Sequence, residues 1–201
     1  GAGFNIASED LELRGAGELL GKKQAGFIDG IGFDLYQELL DDAICEIKGV
    51  EPKRRIEPEI RLDIPVYIPD NYIDDMVVRL NFYHRFSMAR DEAAVEDLLS
   101  ELRDRFGEYP EEVQNLARLS VIKALARDIG IRYIYQHRQS FSFMFDSSVN
   151  ISPEKVIKFL QVYSKVARIT PDSKLYIKNE EDIEVFVFLR EWLERLRELV
   201  S

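Results

Sequence analysis

The run Ile131-Arg132-Tyr133-Ile134-Tyr135-Gln136-His137-Arg138-Gln139-Ser140-Phe141-Ser142-Phe143-Met144-Phe145 decides the fold class. Residues 131–135 are rich in β-branched and aromatic side chains, and apolar residues alternate at 141, 143 and 145. Two such runs, separated by the polar stretch around Gln136 to Ser140, predict a hairpin. Helical patterns lie on both sides of it. An antiparallel hairpin bracketed by helices argues for an α+β domain, its helices packed on a small, mainly antiparallel sheet.

Upstream of the hairpin, Asp91 is placed to cap a helix with Ala94, Val95, Leu98, Leu99, Leu102 and Phe106 along one stripe, stopped at Gly107. Pro110 suits the first turn of the next helix, which carries Leu116, Ala117, Ala124 and Leu125 and stops at Gly130. A helix capped at Asp70 or Asn71 and running to about Ala89 is expected before these. Downstream, Ser152 caps a helix opening with Pro153 and Glu154, and Leu175-Tyr176-Ile177 reads as a third strand. The last helix, capped near Asn179 or Asp182, presents Val185, Leu189, Trp192, Leu196 and Leu199 on one face.

Further upstream the character changes twice. Pro52, Pro58, Pro65 and Pro69 break up residues 51–69, where Ile60, Leu62 and Ile64 alternate with Arg61 and Asp63; this is an extended linker with one short strand. Residues 1–50 are glycine-rich, with a helical pattern at Phe33, Tyr36, Leu40, Ala43 and Ile44 ended by Gly49. The expected organisation is a helical fragment with a Gly-rich loop over 1–50, a linker over 51–69 and a folded domain over 70–201.

Composition bounds the function. With 27 basic against 37 acidic side chains the chain carries −10, which argues against its bulk gripping nucleic acid through clustered cations. No run of about 18 apolar residues is present to cross a membrane. The start Gly1-Ala2-Gly3-Phe4-Asn5 lacks the basic flank and apolar core of a signal peptide, and a first residue other than Met suggests a piece of a longer protein. The single cysteine, Cys45, cannot close an internal disulfide and fits a reducing cytoplasm.

An enzyme site is hard to assemble. Gly17-Glu18-Leu19-Leu20-Gly21-Lys22-Lys23 has three residues between its glycines and Lys23 where a phosphate loop needs four and a hydroxyl residue. His84 and His137 lack neighbours at metal-ligand spacing, so no metal site is expected. The adjacent acids Asp41-Asp42 and Glu111-Glu112 point about 100° apart on a helix and are poorly placed to cooperate in catalysis. No catalytic residue is therefore assigned.

The Gly-rich part carries the sharpest signal. Arg14 stands directly before Gly15-Ala16-Gly17, and Gln24 precedes Ala25-Gly26. Arg14 offers a rigid donor fork, and Gln24 both donor and acceptor, beside backbone that glycine lets pass close to another surface. Two readings stay open on the residues alone: a loop packed on a neighbour, or a mobile loop that senses a motor or a nucleic-acid backbone.

Gly3-Phe4-Asn5-Ile6-Ala7, Asp10-Leu11-Glu12-Leu13-Arg14-Gly15-Ala16-Gly17, Leu20-Gly21, Gln24, Gly26 and Gly32-Phe33-Asp34-Leu35-Tyr36 together resemble the bacterial transcription-repair coupling factors, the Mfd family. The same block occurs in looser form in RecG helicase as its translocation motif. Arg79-Leu80-Asn81-Phe82-Tyr83-His84-Arg85, Glu101-Leu102-Arg103-Asp104-Arg105-Phe106-Gly107 and Leu125-Ala126-Arg127-Asp128-Ile129-Gly130-Ile131-Arg132 extend the resemblance into the C-terminal part of that family.

The resemblance implies an ATP-dependent double-stranded DNA translocase that displaces stalled RNA polymerase and recruits excision repair. Its ATP and magnesium sites would lie upstream of Gly1, leaving no cofactor in this chain. Residues 1–50 would be the end of the second RecA-like motor lobe with most of the translocation motif. There Arg14 and Gln24, with Gly15, Gly17 and Gly26, would couple hydrolysis to movement on DNA. The C-terminal regulatory domain would pack on a UvrB-like module of the same parent chain and mask its UvrA-binding surface. Glu101 and Asp104 match the acidic residues that hold that module. On the helical wheel Asp97 and Asp104 point away from the apolar stripe and Glu101 lies at its flank. The isolated chain is then expected to turn over no ATP and to bind duplex DNA poorly. The competing reading is a stand-alone protein-interaction module without a catalytic role.

Overall fold

The structure is a computed structural model that describes residues 57–200. By internal contacts the chain divides into two compact units, residues 1–53 and 54–201, and the described residues belong to the second. The expected helix over 33–48, Cys45 and the translocation-motif residues Arg14, Gly15, Gly17, Gln24 and Gly26 lie outside the described residues.

The chain runs β1 (Glu59–Arg61), α1 (Met76–Met88), α2 (Glu92–Phe106), α3 (Glu111–Asp128), β2 (Ile131–His137), β3 (Ser140–Phe145), α4 (Pro153–Val162), β4 (Ala167–Ile169), β5 (Leu175–Lys178) and α5 (Val185–Arg197). The five strands form one sheet in the order β1-β2-β3-β5-β4. Only β1 against β2 is parallel; the other three pairings are antiparallel. Among the described residues five helices pack on one mixed sheet, so the class is α+β, and the sheet is mainly antiparallel as the sequence predicts.

The hairpin predicted from residues 131–145 is present, its turn at Arg138-Gln139 with Arg138 at a φ of 56°. A bulge between Ile131 and Tyr133 sets the phase of β2. Ile131 and Ile134 are three apart and could not share one face of a regular strand, whose period is two. The extra residue lets both reach the core, where each is fully buried.

Ile134, Phe141, Phe143, Leu175 and Ile177 from the sheet meet Leu119, Ile122 and Ala126 of α3, Phe159 of α4, and Leu189, Trp192, Leu193 and Leu196 of α5 in one apolar core. Phe141 stacks on Phe188 with ring centroids 4.8 Å apart. Full burial of each such side chain contributes about 1.5–3 kcal/mol. Gly130 turns the chain from α3 into β2 at a φ of +75°, and a Cβ there would lie 2.2 Å from Val149 Cγ2. Both the dihedral and the space require glycine.

Four elements depart from the sequence expectation. The first helix starts at Met76, capped by Asp75, whose Oδ1 accepts from Val77 and Val78 N–H. Residues 70–73 instead form a turn, with Tyr72 and Ile73 N–H donating to the Pro69 carbonyl. Burial of Ile73 and docking of Tyr72 override the local capping signal. The last helix is capped by Glu184 rather than by Asn179 or Asp182. Asn179 is buried and closes the preceding loop, accepting from Ile183 N–H and donating to the Ile183 carbonyl. Strand β4 has no counterpart in the sequence reading, because its three residues form an edge whose Arg168 and Ile169 are both exposed.

In the linker the strand is shorter than the alternation 60–64 implies. After Arg61 the Asp63 N–H turns to Gln136 Oε1, while Leu62 and Ile64 pack on the core without a ladder.

Candidate functional site: the outer edge of the second helix

Helix α2 is fixed before its surface can act. Asp91 Oδ1 accepts from Ala94 N–H at 2.8 Å to cap the start. Val95, Leu98, Leu99 and Leu102 bury the inner stripe. At the other end Gly107 has a φ of +85°, and its N–H donates to the Arg103 carbonyl. Tyr72 Oη shares its proton between the Leu102 and Gly107 carbonyls, satisfying acceptors that a helix end leaves open. Arg190 of α5 reaches Glu92 at 2.9 Å and ties down the first turn.

With that stripe inside, Asp97, Glu101 and Asp104 recur at spacings of four and three and form an acidic line along the outer edge. The structure brings the two predicted residues onto this one line but gives them different surroundings. Asp104 is exposed, and its carboxylate has no hydrogen-bond or ion-pair partner among the described residues; the same holds for Glu96 and Asp97. Glu101 is held from both sides. Arg85 Nη2 of α1 lies 2.5 Å from its Oε2, and Arg105 Nη1 lies 2.7 Å from its Oε1.

Both arginines rest on the ring of the fully buried Phe82, at 5.2 Å for Arg85 and 5.5 Å for Arg105. The ring sets the height of the two guanidinium groups, and they set the carboxylate between them. The hydrogen bond from Arg85, then that from Arg105, draws the Glu101 carboxyl from an ordinary 4.5 down to about 2. The Arg85 guanidinium is pushed up in turn by Glu101. Glu101 is therefore a carboxylate whose charge is already shared within the domain, whereas Asp97 and Asp104 offer unshared charge to anything outside it.

The sequence alone gives Arg85 and Arg105 no role. The i, i+4 spacing of Glu101 and Arg105 is a signal on the page of the sequence; the reach from Arg85, sixteen residues away, is a tertiary one. Among the described residues no group of three or more His, Cys, Asp and Glu is arranged to hold a metal, and no helix is long and apolar enough to cross a membrane.

A family model described as the TRCF domain matches residues 62–156, which include the whole of α1, α2, α3, β2 and β3. The chain is 45% identical over 175 residues to the transcription-repair-coupling factor of Myxococcus xanthus, covering 87% of this chain and 15% of that protein. It is 37% identical to the factor of Rickettsia conorii and 35% identical to that of Escherichia coli K12, each over 99% of this chain and 18% of the relative. The chain thus spans less than a fifth of the length of these relatives. A crystal structure of the C-terminal domain of a transcription-repair coupling factor superposes with a TM-score of 0.56 at 22% identity, covering 71% of this chain and 94% of that one. At that identity the likeness concerns the fold. The chain belongs to the transcription-repair-coupling factor family and has the fold of that family's C-terminal domain.

Proposed function

We propose that residues 57–200 are the regulatory brake of a transcription-repair coupling factor, and that the acidic edge of α2 is the surface that engages it. The observation that carries this reading is the pair of free carboxylates at Asp97 and Asp104 on either side of Glu101, which is clamped in place by Arg85 and Arg105. The partner that fits is basic, and the family resemblance points to the UvrB-like module of the parent chain, whose UvrA-binding surface the docked domain would cover. An acidic patch against an arginine-bearing partner favours register and encounter more than raw affinity.

The division between shared and unshared carboxylates gives the latch its strength. Exposed pairs contribute about 0–1 kcal/mol each. A few of them hold a closed state yet yield when another ligand, such as RNA polymerase or DNA on the parent protein, favours the open one. Control is then a shift between two populations. Within the parent, ATP and magnesium would be bound by the motor lobes, and Arg14 with Gln24 would couple their hydrolysis to movement on duplex DNA.

The test is titration of the chain with the UvrB-like module by calorimetry. Asp97→Lys with Asp104→Lys is expected to weaken binding about tenfold or more, since each reversal replaces an attraction with a repulsion. The domain itself should melt within about 0.5 kcal/mol of the original, because neither side chain has an internal partner. Undiminished affinity in the double variant would remove this edge from the interface.

A further inference from the structure

The open face of the sheet, opposite the apolar core, is closed on itself. One row across it takes a residue from every strand: Arg61, Tyr135, Ser142, Tyr176 and Arg168 are neighbours in register from β1 to β4. Tyr133 stacks on Tyr135 with centroids 4.6 Å apart, and His137 on Tyr176 at 5.6 Å. Arg61 lies over Tyr135, Lys174 over Tyr133 and Arg168 over Tyr176. Arg61 pairs with Glu59, Lys174 with Asp172 and Lys178 with Glu180. Of these four cations only Arg168 has no carboxylate partner among the described residues. It stands on β4, the strand at one end of the sheet.

That end is open in its backbone. Lys178 N–H donates to the Val166 carbonyl and Thr170 N–H to the Lys174 carbonyl, both at 2.9 Å. The hydrogen-bonded pairs of the β4–β5 ladder are therefore 166 with 178, 168 with 176 and 170 with 174, since such pairs alternate along an antiparallel ladder. The N–H and carbonyl of Ile169 and the carbonyl of Ala167 point outward instead, and none of the three has a partner among the described residues. The remaining outward group, Ala167 N–H, donates to the Tyr163 carbonyl. Ile169 shares the core-side face of β4 with the buried Ala167, yet it is 46% exposed. On α4, Phe159 and Tyr163 meet Trp192 of α5, and Lys155 reaches the Val200 carbonyl. The flank of α4 turned away from α5 carries Ile157, 57% exposed. Cations surround this end. Residues 155–178 hold six of them and a single carboxylate, Asp172, on a chain whose total is −10. Lys158, Lys165 and Arg168 are exposed and without a carboxylate partner among the described residues.

We propose that the outer edge of β4 receives an extended acidic segment of another protein as an added strand, its apolar side chains toward Ile169 and Ile157 and its carboxylates toward Arg168 and Lys165. The free backbone groups at 167 and 169 supply the pairing, and the side chains on the two faces supply the choice of partner. The partner residue opposite Ile169 falls on the core side, where only an apolar group is matched. Its two neighbours fall on the open face beside Arg168, where a carboxylate finds the cation that the domain leaves unpaired. The segment that fits therefore alternates apolar with acidic residues. A nucleic acid would meet the cations and leave the edge amide and carbonyls unpaired. This edge is separate from the acidic line on α2, and its failure would leave the latch untouched.

The test follows amide chemical shifts and hydrogen exchange of the intact nitrogen-15-labelled chain, titrated with a peptide of about seven residues alternating Glu with Val. The Ile169 amide should shift most and exchange at least about tenfold more slowly in the complex, because its hydrogen gains an acceptor. Ile169→Pro removes the outward donor without touching the β5 ladder, so it should abolish binding while the amides of Tyr176 and Lys178 stay protected. Arg168→Glu, an exposed change, should weaken binding about tenfold and favour a peptide in which Lys replaces Glu. The same residues with all Glu grouped at one end should bind at least about tenfold more weakly, since alternation is lost. Asp97→Asn on α2 should change nothing. The proposal is overturned by an unshifted Ile169 amide at millimolar peptide, or by the grouped or Lys-bearing peptide binding the original chain as well as the alternating acidic one. It is also overturned if Ile169 is protected by self-association of the chain, which would make a second copy the occupant.

Discussion

The outer edge of α2 and the open face of the sheet are both charged surfaces, and they spend their charges in opposite ways. On α2 the free groups are carboxylates, Glu96, Asp97 and Asp104, while Glu101 and, in the first turn, Glu92 are committed to internal arginines. On the sheet three of the four cations are committed to neighbouring carboxylates, and the tyrosine rings supply the contact area. A surface of unshared like charges attracts at a distance and lets go easily, as a latch must. A surface of rings with compensated charges acts only in contact. A total of −10 describes the first and conceals the second.

The comparison assumes that both surfaces ride on one cooperative unit. Replacing Phe143, fully buried on the core side of the sheet, by Ala should cost about 3–5 kcal/mol. The loss should appear at the same urea concentration in the fluorescence of Trp192, near the sheet, and in helical circular dichroism, to which α1–α3 contribute. Separate midpoints would show that the helical and sheet regions unfold independently.

The next effect separates the two regions by mechanism. Gly107, at the end of α2, and Gly130, at the start of β2, both have positive φ. Nothing lies within 4 Å of a Cβ built on Gly107, so Gly107→Ala should cost only the backbone strain, about 1–3 kcal/mol. Gly130→Ala adds the 2.2 Å encounter with Val149 and should cost more. Adding Val149→Ala should recover the steric part in the second case and nothing in the first. Equal losses, measured by thermal melting, would mean that the loop around Val149 yields freely.

The smallest effect tests the clamp on Glu101. Its carboxyl is held down near 2 in the folded chain against an ordinary 4.5. The charged form is therefore favoured by folding. Its contribution is complete above about pH 4.5 and is lost as the pH falls through about 2. Glu101→Gln should flatten the dependence of stability on pH within that window and leave the slope near neutrality unchanged. An identical acid profile in the variant, read from urea midpoints at a series of pH values, would show that the two arginines do not grip the carboxylate in solution.

Legibility followed the range of the forces involved. The stripe Val95, Leu98, Leu99, Leu102 and the outward position of Asp97 and Asp104 depend only on helical periodicity, so the sequence reveals them, as it does the 131–145 hairpin. The sequence places the start of α1 too early because Asp70 and Asn71 satisfy the local rule, whereas burial of Ile73 and the Tyr72 contact to α2 decide the outcome. Strand β4 leaves no clear pattern in the sequence because it is short and mostly exposed.

The sequence by itself determined the class, the order of most elements, the acidic line on α2 and the family resemblance, since each rests on neighbours within a few turns or on a contiguous motif. Tertiary structure alone decided that Glu101 is clamped by an arginine from another helix. It alone also decided that Arg61, Tyr135, Ser142, Tyr176 and Arg168, spread over more than a hundred residues, fall into one row. The reason is physical: a helix fixes its faces through bonds four residues apart, but a sheet face exists only once strands distant in sequence have chosen their register.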